Sequence, residues 1–217
     1  MSAIQPPPMQ PLLRSVLAVL KTAAENGHQI NRTKLVKLLY LTDLAAVEAG
    51  GTPFTGATWR WGDDGPYDAA VRRAENTAVD SGLVDRDDQI RPCEQGSCRL
   101  ALSEVAIDDP LDTSDTALIR KVVTEHGHKS ADELRDLSHD TPPMIQATTA
   151  GDRGVLLDLS RARRARQTGA LLDRFRRQRA AAVRRPDTPG VGDQLLAEMA
   201  GTAAPRGRVN AEELNDQ

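Results

Sequence analysis

Ser138-His139-Asp140 carries the three letters of a hydrolase triad in adjacent positions. A triad converges from residues distant in sequence, and neighbours on one turn cannot aim at a common atom. The reading left for His139 is the end of a helix, where a cationic ring meets the negative end of the dipole. His126 and His128, flanking Gly127, take the same explanation. Cys93 and Cys98 are the chain's two cysteines, too few for a zinc site with four ligands or for a disulfide framework. They could face each other across a turn at Gln95-Gly96, but free thiols in a reducing cytosol are the expected state. No glycine loop cradles a phosphate and no dinucleotide fingerprint is present. The sequence therefore leads to no catalysis, no metal and no cofactor.

The elements that would position any site begin with Asn31–Leu41, Asn-Arg-Thr-Lys-Leu-Val-Lys-Leu-Leu-Tyr-Leu. Asn31 is an N-cap whose side-chain oxygen can take a free N–H of the first turn, and Gly50-Gly51 is the stop. Leu35, Leu38 and Leu39 make one apolar stripe, and Val36, Tyr40, Leu44 and Val47 spread apolar surface around most of the circumference. Such a helix belongs at the centre of a domain. Lys34 and Lys37 open one polar window in it, either snorkelling into water or lining a partner-binding groove.

Before it, Met1–Gln10 is a disordered, proline-rich lead. Pro11 then starts a helix carrying Leu12, Leu13, Val16, Leu17 and Leu20 up to Gly27. After it, Thr52–Gly62 reads as extended, with Phe54, Trp59 and Trp61 either plugging the core or making contacts. Pro66 is the expected start of a third helix. Leu83-Val84 and a hairpin of Gln89-Ile90-Arg91 with Arg99–Leu102 follow, with Asp85–Asp88 as a solvated turn. A fourth helix carries Leu118, Val122 and Val123 on one face, Ile119 flanking it. Ser130 and Glu133 form a capping box for a fifth that ends before Pro142.

Three segments in order resemble the Panacea, or SocA-like, antitoxin domain family. They are Thr33–Leu41; Gly51–Gly56 with Trp59-Arg60-Trp61-Gly62, Gly65-Pro66-Tyr67 and Val71; and Ser130–Leu134 with Leu137-Ser138-His139 and Pro142-Pro143, where Ser138 replaces the usual threonine. The resemblance covers roughly residues 10–150. It implies an antitoxin encoded beside its toxin, neutralising it by direct binding, and at least one such protein is an adaptor delivering its toxin to a protease. On that resemblance the acidic residues 1–159 would face the toxin; no motif identifies the toxin-facing side, and Lys34, Lys37, Tyr40, Trp59, Trp61 and Tyr67 are the residues expected to contact the partner or shape its site.

Composition sets the architecture: aromatics are only 3%, so Leu, Val and Ala must build the core, which favours helices. The expected fold is mainly α with a small antiparallel β element, a compact helical domain over 11–159 around a central buried helix. An arginine-rich helix over 160–185 and a flexible acidic tail over 186–217, with a possible short helix at Asp193–Ala200, complete it. The net charge of −3 is uneven. Ser160–Arg185 holds ten arginines against Asp173, a balance of +9, Pro186–Gln217 is −4, and Met1–Leu159 is −8. Leu171, Leu172 and Phe175 make a narrow stripe by which the arginine helix would dock, and Arg163, Arg166, Arg174 and Arg177 are its candidate contacts to nucleic acid or to a partner. No run reaches transmembrane length and Pro6-Pro7-Pro8 is no signal peptide, so a cytoplasmic protein is expected. The alternative is a winged-helix-like nucleic-acid-binding regulator with Arg72 and Arg73 on its recognition helix. The −8 of the domain is a poor match for phosphate.

Overall fold

A computed structural model describes residues 10–87, 98–103, 111–151 and 153–182. Among them, the elements run α1 (Pro11–Glu25), β1 (Ile30–Asn31), α2 (Arg32–Glu48), β2 (Arg60–Gly62), β3 (Gly65–Tyr67), α3 (Ala69–Asp80), β4 (Val84–Asp87), β5 (Arg99–Leu102), α4 (Thr113–His126), α5 (Ala131–His139), α6 (Pro142–Ala150) and α7 (Ser160–Ala182). The class is mainly α with a small antiparallel β element. The chain divides into two compact units, Met1–Thr168 and Gly169–Gln217, and the division falls inside α7.

In the first unit α2 is the axis. Asn31 Oδ1 accepts from Lys34 N at 2.8 Å, the cap read from the sequence. Leu35, Leu38, Leu39 and Tyr40 are each 0% exposed. Twelve of its seventeen residues are buried, so α2 has no solvent face and its neighbours must surround it. α1, α4 and α5 pack on it directly, while α3 packs on α1. β1, β5 and β4 form an antiparallel sheet in that order, with Ile30 opposite Leu100 and Val84 opposite Leu102. Leu100 and Val84 face the core.

A second sheet pairs β2 with β3 antiparallel, Arg60 opposite Tyr67 and Trp61 opposite Pro66. Arg60 also bridges to Leu156 on its other side, and Trp61 N donates to Val155 O at 3.0 Å. The segment after α6 thus lies against β2.

Several expectations are corrected. Pro66 belongs to β3, and the third helix starts at Ala69 behind the N-cap Asp68, whose Oδ1 accepts from Ala70 N at 2.8 Å. Proline fits there because the strand pairs on one side only, leaving its missing N–H no ladder bond to break. Only Arg60–Gly62 of the extended stretch pairs as strand. Asp85–Asp87, expected as a loop, continue β4, since exposed charges are tolerated on one face of an antiparallel pair. Pro142-Pro143 open α6, an additional helix, because proline suits a first turn whose N–H groups lack partners anyway. On α4 the buried face is Ile119, Val122 and Val123, with Leu118 at its edge. Cys98 is disulfide-bonded, not a free thiol. Cys93, the Gln89–Arg91 strand, the Glu94–Ser97 turn, Met1–Met9 of the lead, and the tail with its helix at Asp193–Ala200 lie outside the described residues.

In the second unit the described part of α7 carries Leu171, Leu172 and Phe175 at 54%, 51% and 65% exposure. Arg177 Nε donates to Asp173 O at 3.2 Å, a contact along the helix. Among the described residues no helix is long and apolar enough to cross a membrane.

Candidate partner-binding site

The two lysines of the α2 window diverge. Lys34 Nζ donates to Gly127 O at 2.8 Å, holding the C-terminal end of α4. Burial lowers its pKa, with Glu133 opposing. Lys37 is 3% exposed. It does not reach water as the snorkelling reading expects; its Nζ donates to Asp64 O and, at 3.1 Å, to Pro66 O. The ammonium therefore pins the β2–β3 turn to the central helix.

Beside Lys37 a cavity of about 380 Å³ opens between the first turns of α2, the hairpin and α3. Its walls include Arg32, Val36, Lys37, Asp64, Tyr67 and Arg72. Of the expected contact residues it brings together Lys37 and Tyr67. Tyr40 and Trp59 stand elsewhere: Tyr40 is 0% and Trp59 2% exposed, their rings meet edge to face at 5.5 Å, and Tyr40 Oη bonds Thr141 Oγ1 at 2.7 Å. Both shape the body from inside, so their contact role is withdrawn; burial of large rings outweighs display in so aromatic-poor a core. Trp61 lies half-buried against the core. Arg166 Nη1 donates to Glu48 O at 3.2 Å, and Arg163 Nη2 lies beside Gly50, 4.0 Å from where a Cβ would be. These two arginines meet the negative end of α2. Arg174 stands exposed on α7.

Two buried acids that the sequence reading passed over organise this region. Asp43, 0% exposed, accepts from Phe54 N at 2.9 Å, Thr55 N at 3.1 Å, Thr55 Oγ1, and Trp59 Nε1 at 2.8 Å. It fastens the 54–59 loop to α2. Glu75, 1% exposed, takes a two-pronged grip from Arg32, Nε to Oε2 at 2.7 Å and Nη2 to Oε1 at 2.6 Å, with Arg86 Nη1 3.7 Å away. That pair ties α3 to the start of α2 and fixes one wall of the cavity. The signal was available, since each acid sits at a helix position surrounded by buried residues.

Gly65 closes the site at φ +95°, and a Cβ there would lie 3.1 Å from His139 Nε2 and 3.2 Å from Lys37 Nζ. Gly65→Ala is expected to cost about 1–3 kcal/mol through backbone strain alone, with the crowding of His139 and Lys37 added. Gly82→Ala, at φ +69° in open space, carries strain without contact. The difference in their urea midpoints measures the crowding.

Burial lowers the Lys37 pKa from its ordinary value to about 8, against the pull of Asp64. Below pH 8 the lysine is charged folded and unfolded, and the fold bears the cost of the buried ammonium. From pH 8 to about 10.5 the unfolded chain holds the extra proton, so stability rises with pH. Burial raises the Tyr40 pKa, so above about pH 10 the unfolded tyrosine ionises first and stability falls again. The expected gain from pH 8 to 10 is about 2–3 kcal/mol, absent in Lys37→Met, checked by urea denaturation across that window.

His28, His126 and His128 gather around the end of α4, with the His28 and His128 rings 6.3 Å apart. Burial, then Lys34 and His128, lower the His28 pKa, and burial lowers that of His126. Ser138 is buried and its Oγ donates to Leu134 O at 2.7 Å, so the Ser-His-Asp run does not converge on a common atom. Among the described residues no group of His, Cys, Asp and Glu is arranged to hold a metal ion.

No curated protein and no solved structure matches the chain. Residues 35–143, which run from α2 through the hairpin, the cavity's α3 wall and α5 to the first turn of α6, match the profile described as antitoxin SocA-like, Panacea domain. The chain belongs to that family.

Proposed function

We propose that this protein is the antitoxin of a toxin–antitoxin pair and neutralises its toxin by direct binding, as a non-catalytic protein of the bacterial cytoplasm. The observation that carries the reading is the family match over residues 35–143. The acidic first 159 residues suit a toxin with a basic, nucleic-acid-directed surface, where opposite charge speeds encounter and buried anchors hold the complex. The test is co-expression with the neighbouring gene. Expression of the neighbour alone should arrest growth and co-expression should restore it; arrest that persists would overturn the reading. Delivery of the toxin to a protease is a second route to the same end, marked by a shortened toxin half-life on co-expression.

One observation favours the nucleic-acid reading. α1, β1, α2 and α3 lead into a hairpin, the sheet order is β1-β5-β4, and Arg72 and Arg73 stand exposed on α3, a winged-helix arrangement. The −8 charge weighs against it. A gel shift on generic duplex at low salt separates the two, since phosphate binding falls steeply with added salt.

A further inference from the structure

We propose that the outer face of the β2–β3 hairpin and the cavity beside it form the partner-binding surface, taking an extended, carboxylate-bearing segment of the toxin. An acidic side chain of that segment seats on Arg72 while an apolar neighbour lies against Tyr67 and Leu156. This rests on the antitoxin reading and gives it a contact site.

Residues directly opposed across strands point to the same face. Arg60 is opposed by Tyr67 on one side and Leu156 on the other, so the three stand in a row. Trp59 and Trp61 flank Arg60 in sequence and take the other face, toward the core. The outer row is open: Tyr67 is 44% and Leu156 56% exposed, unlike the tryptophans expected to make contacts. Tyr67 also forms a wall of the cavity, so row and cavity make one continuous surface.

Charge selects the occupant. Around the cavity Arg32 is matched by Glu75, Asp63 by Arg153, and Lys37 lies beside Asp64. Arg72 is exposed and has no acidic partner among the described residues. A carboxylate meets that guanidinium with two parallel hydrogen bonds, whereas a segment bearing only basic groups would bring like charges together. A cavity of about 380 Å³ lies near the lower end of ligand sites, roughly 300–1,000 Å³, room for anchoring side chains and not for a folded element. Tyr and Arg are also the residue types that carry most interface energy.

The experiment measures affinity for the purified product of the neighbouring gene by titration calorimetry, using the full chain. Tyr67→Ala and Arg72→Glu should each weaken binding roughly tenfold or more without lowering the melting temperature. Arg120→Glu, on the exposed side of α4, should leave affinity unchanged. Exchanging one exposed acid of the partner for arginine should restore binding to Arg72→Glu. If Tyr67→Ala perturbs folding, Arg72→Glu decides alone, since that exposed side chain has no acidic partner among the described residues to lose. Wild-type affinity in Arg72→Glu overturns the surface while the antitoxin reading stands. Failure of every acid exchange to restore binding overturns the carboxylate. A wild-type chain that does not bind the neighbour's product overturns the antitoxin reading and the surface with it.

Discussion

Asp43→Ala should unfold this domain or bring it close to unfolding. The carboxylate accepts from two backbone N–H groups, a hydroxyl and an indole N–H, and at 0% exposure water cannot replace it. Each stranded donor costs about 1–3 kcal/mol, so even a partly relaxed site loses on the order of 4 kcal/mol out of a typical total of about 5–15. Asp43→Asn keeps the volume but turns an amide N–H₂ toward groups that are themselves donors, and is expected to cost about half as much. Urea denaturation gives both values. Trp59 and Trp61 are the chain's only tryptophans, so fluorescence reports on the same loop. A red shift of native emission in Asp43→Asn is expected, and an unchanged spectrum with an unchanged midpoint would refute the role given to Asp43.

Glu75→Ala is the second large effect. It removes the carboxylate gripped by Arg32 and approached by Arg86, whose side chains are only 13% and 27% exposed. Removing one member of a buried pair costs about 3–5 kcal/mol because the remaining charge stays desolvated. Glu75→Gln keeps an acceptor for Arg32 and should cost less. Arg32 lines the cavity, so under the proposed partner surface the loss should also appear in partner affinity. Stability measured with and without the partner separates the two consequences, and a Glu75→Ala protein as stable as wild type would show that water already screens the pair.

The central helix was legible because its signals are local: a cap at Asn31, glycines at its end, and apolar residues on every side. The same holds for Ser130 and Glu133, whose reciprocal bonds of 3.1 and 2.7 Å form the expected box. The site was less legible. Lys34 and Lys37 are one turn apart in sequence, and what separates them is which chain passes overhead, Gly127 for one and the hairpin turn for the other. Tyr67 and Leu156 come together only through strand pairing, a relation that periodicity does not encode. Pro66 and Pro142 show the ambiguity of proline, which fits a lone edge as well as a first helical turn. Asp43 and Glu75 could have been found by asking why an acid interrupts a buried face.

Tyr40 on the axis and Thr141 at its far wall are 101 residues apart in sequence, yet share one hydrogen bond. On the ribosome, where chains grow at about 5–20 residues per second, α2 emerges after α1 but several seconds before α4, α5 and Thr141, which complete its enclosure. Through that interval its apolar circumference is open to chaperones and proteases. A transcript cut short before α6 yields a chain that lacks Thr141 and cannot finish its own interior.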